Sequence, residues 1–279
     1  MHTTSIATPD MPDTPVIHRW HLAEIAELPW CPAPIRDGVT DYLQHVIDRT
    51  QPYAPVVAVL RQVLAPPRGE PSGPLHVVDL GAGGGGPWRT LSRELGDRVR
   101  VTLTDAYPNV PAFEALERES GGRIRGEPTP MAADAIPPEM TGVRTMFSAF
   151  HHLAPDAAVR LLRRTVRAGH PIAIFEATRR DPIAILLTLI TPLLVLLMTP
   201  AIRPFRWSRI LFTYLIPVIP LVVLIDGVVS CLRTYTPEEL LAMGQAAAPS
   251  GVTWRAGLLP AGPIPVTYLV GIPGDASAE

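Results

Sequence analysis

His76-Val77-Val78-Asp79-Leu80-Gly81-Ala82-Gly83-Gly84-Gly85-Gly86 is an apolar run that carries one acid and then breaks into glycine. Residues without Cβ atoms take positive φ and let the backbone approach a bound molecule closely. This spacing therefore predicts a strand feeding the ligand-cradling turn of a Rossmann-like α/β fold. Asp79 stands two residues before the first glycine. A carboxylate there crowds a pyrophosphate, but it accepts a charge-assisted hydrogen bond from an ammonium group.

Gly81, Gly83 and Gly86 also satisfy G-x-G-x-x-G, so the turn alone fits a nicotinamide dinucleotide as well as an ammonium-bearing nucleoside. Val99 to Thr104 alternates as a strand and ends at Asp105-Ala106, about 20 residues on, where an acid meets ribose hydroxyls in either case. Met131 to Ala135 puts Asp134 at a third expected strand end. Arg144 to Phe150 reads as a strand running into His151 and His152, and Pro171 to Ala177 as a buried strand carrying Glu176 near its end.

VVDLGAGGGG, TLTDAYPN, AADA and MFSAFHHL resemble successive motifs of the class I S-adenosylmethionine-dependent methyltransferases, over Leu75 to Thr178 and again from Thr236 to Ile272. The resemblance implies a seven-stranded sheet in one domain, residues 17–279, with S-adenosyl-L-methionine as cofactor. It implies that Asp79 and the turn of Gly81, Ala82, Gly83 and Gly85 hold the methionine part. Asp105 with Ala106 would hold the ribose, and Asp134 with Ala135 the adenine. It also places His151 and His152 near the meeting point of cofactor and acceptor.

Histidine is the natural proton acceptor near neutral pH, and Glu176 at a strand's carboxyl end is a second catalytic candidate. Equally, the histidines shape the turn and Glu176 is a hydrogen-bonded structural acid. Val252 to Leu259 and Pro265 to Ile272, joined by Pro260-Ala261-Gly262-Pro263, predict an antiparallel hairpin at the sheet edge. A second dinucleotide-binding half needs a crossover helix there instead. Two rivals to methyl transfer stay open: an NAD(P)-dependent oxidoreductase, and a protein that binds the cofactor without methylating.

Composition narrows the partners. The 279 residues carry a net charge of -2 and no extended basic stretch, which argues against nucleic acid. Cys31 and Cys231 form no disulfide framework, and neither they nor His18 and His21 supply a metal set, so none is expected. A cytoplasmic setting follows. Residues 1–16 read as a disordered tail without a secretory pattern. Residues 17–70 read as a helical cap, in which Trp30 and Tyr53 line a pocket or pack on the sheet, with Pro66 and Pro67 as a loop.

The anomaly is an apolar insertion, residues 182–226. No charged residue occurs from Pro182 to Ile202, enough for a membrane span of roughly 20 residues. The second run, Ile210 to Ile225, is shorter and interrupted by Pro217 and Pro220. Full spanning would carry Arg203, Arg206 and Arg209 across the membrane, against the preference of basic residues for the cytoplasmic side. The expectation is therefore a helical hairpin dipping into the inner leaflet, with these arginines and Trp207 at headgroup level. A lid over an apolar substrate and the core of a homodimer are the other two covers. Asp226 pairs with an arginine or orients a substrate's polar head. The function expected is methyl transfer to an apolar small molecule of isoprenoid, quinone, lipid or polyketide-like type.

Overall fold

The computed structural model describes residues 16–65 and 73–274; the expected tail, apart from Val16, and the Pro66-Pro67 loop lie outside the described residues. Seven strands form one sheet: β1 (Leu75–Leu80), β2 (Val99–Thr104), β3 (Ile124–Gly126), β4 (Val143–Phe147), β5 (Ile172–Glu176), β6 (Val252–Leu259) and β7 (Val266–Pro273). Their order is β3-β2-β1-β4-β5-β7-β6. The first five are parallel, and β7 runs antiparallel to both β5 and β6. The expected hairpin is therefore present, shifted by one residue in its second strand. Strand order reverses between β1 and β4, so the carboxyl ends of those strands open the ligand crevice of an α/β sheet.

Ten α-helices are described: α1 (Ala33–Thr50), α2 (Val56–Val63), α3 (Trp88–Leu95), α4 (Val110–Glu119), α5 (Pro155–Arg167), α6 (Pro182–Thr188), α7 (Thr191–Met198), α8 (Trp207–Ile210), α9 (Val218–Arg233) and α10 (Pro237–Ala247). All five residues of β4 and of β5 are buried, as expected of parallel strands covered on both faces. One face packs Leu60, Trp88, Leu91, Phe113 and Phe175; the other packs Phe150, Leu161, Leu162 and Leu240. The third expected strand end is corrected here. β3 lies upstream at Ile124–Gly126, and Asp134 stands in the irregular segment that follows it.

A third, smaller core explains the insertion. Val39 and Tyr42 of α1 pack with Val195 of α7, Ile202, and Ile219, Val222 and Val223 of α9. The insertion is thus a helical layer laid over α1, with its outer side unpaired. Pro182–Ala201 is long and apolar enough to cross a membrane, yet only 17% of its apolar window is buried. Leu186, Ile190, Leu193 and Leu197 form one exposed stripe at helical spacing along it. Trp207–Leu215 and Val218–Arg233 are bent by 80° to one another, so the second run makes no straight span.

The arginines at the tip do not lie as expected. Arg209 is buried, pairs with Asp41 and donates to the carbonyls of Ile202 and Pro204 (2.9 and 2.6 Å). Arg206 pairs with Asp37 at 3.0 Å and with Asp41 at 3.6 Å. Carboxylates on α1 draw both side chains inward, because a buried guanidinium needs a charged partner. Arg203 and Trp207 remain exposed.

Candidate functional site

The turn after β1 is closed largely by its own backbone. The N–H groups of Gly81 and Ala82 donate to the Thr104 carbonyl at the end of β2 (2.9 and 3.0 Å). Gly81 takes φ +71°, and a Cβ there would stand 2.9 Å from the Ala149 Cβ, so strain and crowding both require glycine. Gly83 takes φ +55° with nothing within 4 Å of its missing Cβ, which leaves room for a ligand at that point. The Gly83 N–H donates to Asp105 Oδ2 at 2.7 Å, and the Tyr107 N–H donates to Oδ1 at 2.8 Å. Two backbone donors therefore hold the Asp105 carboxylate at the crevice, half-exposed beside exposed Ala106.

Asp79 lies beneath the turn, 1% exposed, and Oδ1 accepts from the Thr145 hydroxyl at 2.6 Å. Burial pushes its carboxyl up to about 7, against the pull of the Thr145 hydroxyl and the Trp88 indole. Gln44 of α1 donates to the Gly86 carbonyl at 2.9 Å, so α1 covers the outer half of the turn. The Gly83 side stays open. Asp134 and Ala135 are exposed, and their segment is tied in by the Met131 N–H to the Asp105 carbonyl (2.8 Å) and by Arg164 to the Asp134 carbonyl (2.6 Å). Of the three acids expected at the cradle, Asp79 and Asp105 thus lie with the glycine turn at the carboxyl ends of β1 and β2, and Asp134 stands in the exposed segment tied to Asp105 through Met131.

His151 and His152 lie on a 3₁₀ turn, Phe150–His152, directly after β4. Glu176 at the end of β5 anchors that turn: Oε1 accepts from the N–H groups of Phe150 and His151 (2.9 and 3.3 Å), and Oε2 meets His151 Nδ1 at 2.5 Å. His151 is 2% exposed. Burial lowers its pKa, but the Glu176 and Glu24 carboxylates outweigh burial and push it up to about 10. The two carboxylates thus favour the imidazolium form of His151. His152 is half-buried, with Nδ1 2.5 Å from Glu27 Oε1.

Sequence reasoning missed the groups that surround this pair. Glu24 and Glu27 come from the segment before α1, and Arg233 from the end of α9. Arg233 pairs with Glu27 at 2.6 Å and donates to the carbonyls of His151 and His152 (3.2 and 2.6 Å). Arg19 reaches the Leu153 and Arg233 carbonyls (3.3 and 2.6 Å), and the Ser230 hydroxyl donates to Glu24 at 2.7 Å. The available signal was Arg233, a charge closing an almost uncharged helix. Asp226 is buried and pairs with no arginine among the described residues; it accepts from the Ile25 and Ala26 N–H groups (2.7 and 2.9 Å), fixing the same segment. Tyr53 is buried, hydrogen-bonded to Ser148 at 2.7 Å and edge-on to Phe147, whereas Trp30 is exposed.

No family model matches the sequence, and no curated protein matches it. Solved structures do. A candidate O-methyltransferase from Nostoc punctiforme PCC 73102 is 13% identical with a TM-score of 0.52, covering 91% of this chain and 64% of that one. An O-methyltransferase from neocarzinostatin biosynthesis, in complex with S-adenosylmethionine and 2-hydroxy-5-methyl naphthoic acid, is 17% identical with a TM-score of 0.50, covering 86% of this chain and 58% of that one. This chain has the class I methyltransferase fold. It spans under two thirds of the length of those two structures. In this methyltransferase fold the open Gly83 side and the Asp105 carboxylate lie at the strand ends where the sheet's topology forms its crevice.

Proposed function

We propose that this chain binds S-adenosyl-L-methionine and transfers its methyl group to an apolar small molecule. One observation carries the reading: the Asp79 carboxylate is buried, with no cationic partner among the described residues, directly beneath a glycine turn whose Gly83 side is open. An amino-acid-bearing sulfonium nucleoside supplies the missing positive charge, and a dinucleotide pyrophosphate does not. Gly81, Ala82, Gly83 and Gly85 take the methionine part, Asp105 and Ala106 the ribose, and Asp134 and Ala135 the adenine. The cofactors bound in the neocarzinostatin enzyme, S-adenosylmethionine and S-adenosylhomocysteine, support this choice.

The sulfonium is an activated electrophile, so alignment and exclusion of water supply much of the catalysis. His151, His152 and Glu176 serve as positioning residues that fix the turn after β4. The apolar insertion supports an apolar acceptor and attachment to the inner face of the cytoplasmic membrane. Fifteen of the large exposed hydrophobic residues lie between Ile183 and Ile225, far more than scattered surface residues require.

Calorimetry tests the cofactor: S-adenosylhomocysteine binds and NAD does not. Methyl-labelled cofactor added to membrane-containing lysate tests the reaction, with label expected in an extracted apolar metabolite. Binding without any transferred label would favour a cofactor-binding protein that does not methylate. Carbonate-washed membranes retain the chain if the insertion enters a leaflet, and full recovery in the soluble fraction removes that part of the reading.

A further inference from the structure

Two imidazole nitrogens behind the β4 turn are left without use. His151 Nε2 and His152 Nδ1 are both buried and neither makes a hydrogen bond, although His152 Nδ1 touches Glu27 Oε1 at 2.5 Å. They converge on one oxygen. Glu24 Oε1 stands 3.5 Å from His151 Nε2 and 3.7 Å from His152 Nδ1, and the three residues offer ligand atoms all within 4.8 Å of one another. We propose that Glu24, His151 and His152 bind a divalent transition-metal ion of the Zn²⁺ or Co²⁺ kind.

The spacing supports an ion better than a proton. An imidazolium aims its N–H along a carboxylate lone pair at 2.7–3.2 Å, whereas His151 Nε2 stands 3.5 Å from Glu24 Oε1 and makes no hydrogen bond. Nitrogen and oxygen ligands at 2.0–2.2 Å from a tetrahedral ion stand about 3.4 Å apart, close to the two separations found here. Glu176 holds His151 Nδ1 at 2.5 Å, the outer carboxylate that orients a ligating imidazole and directs Nε2 at the ion. Two imidazoles and a carboxylate select borderline metals over Mg²⁺ and Ca²⁺.

The ion would clasp residues 24–27 to the turn after β4, and no step of methyl transfer runs through it. The site stands apart from the cofactor reading. Tag-free full-length chain, stripped with chelator, is titrated with Co²⁺ by visible absorption and with Zn²⁺ by calorimetry. One equivalent of Co²⁺ should give the strong visible bands of four-coordinate cobalt, and Zn²⁺ should raise the melting temperature. His152→Ala and Glu24→Gln should each weaken Zn²⁺ binding more than 100-fold, and Glu176→Gln 10- to 100-fold. His45→Ala, on α1, should leave it unchanged. Absence of stoichiometric binding by the unaltered chain overturns the proposal, as does binding that His152→Ala and Glu24→Gln both leave intact, which marks an adventitious ion only. Should the variants fail to fold, the Co²⁺ spectrum of the unaltered chain decides. S-adenosylhomocysteine binding, measured on the same samples, reports the cofactor reading separately.

Discussion

Asp79 gives the sharpest test at the scale of one residue. Its carboxyl titrates at about 7 in the folded chain against an ordinary value of 3.8, because burial disfavours the charge. A group with a raised folded pKa adds stability that is fully present below its unfolded value and lost as pH rises through the folded one. Ligand-free protein should therefore lose stability between about pH 4 and pH 7, by on the order of 3 to 4 kcal/mol from this group. Asp79→Asn should remove that part of the slope, so urea melts of the two proteins should diverge most at pH 8. The ammonium of the cofactor reverses the sense for binding, since it favours the ionised carboxylate. S-adenosylhomocysteine affinity should rise from pH 5 to pH 7 in the unaltered chain and stay flat and weaker in Asp79→Asn. A parallel pH dependence in both proteins would detach Asp79 from the ligand. This residue was legible in the sequence because both its acid and its glycines lie within one short stretch. Its burial was not, because Thr145 and Trp88 come from other elements.

Among the elements, the insertion separates outer from inner side chains. Leu186, Leu193 and Leu197 face outward at 63%, 56% and 67% exposure, so replacing all three by Glu should change stability by only about 0.5 kcal/mol each. The same triple variant should lose flotation with phosphatidylcholine vesicles, which the unaltered chain should show. Retained flotation would remove this stripe as the lipid-facing surface. Ile219 of α9 is fully buried against α1, and Ile219→Ala should cost about 2 to 5 kcal/mol by denaturant melts while leaving flotation intact. Apolar composition announced these helices; the break expected at Pro217 is present, whereas Pro220 lies within the first turn of α9. What composition did not contain was the inward turn of Arg206 and Arg209. Their partners Asp37 and Asp41 lie more than 160 residues away, and helical spacing carries no information over that distance.

At the scale of the whole molecule, the parallel sheet was legible because β1 and β5 read as apolar runs and β2 as an alternating one, and the edge hairpin because its turn is short; the three-residue β3 was too short to read. The clasp around His151 and His152 was not, since it joins the first described residues, the β4 turn and the end of α9. Arg233 is its keystone: 2% exposed, it meets Glu27 and three chain segments at once. Arg233→Met should leave buried Glu24 and half-buried Glu27 without their guanidinium, costing about 2 to 3 kcal/mol once the solvent screening at Glu27 is allowed for. Removing a charge from each side should cost far less, because the desolvation of an unpaired carboxylate is then avoided. The Arg233→Met/Glu27→Gln double variant should recover most of the loss, a coupling of about 2 kcal/mol or more in a double-mutant cycle of urea melts. Additive losses would mean that the two side chains act independently and that apolar packing of α9, rather than this charge cluster, fastens the leading segment to the sheet.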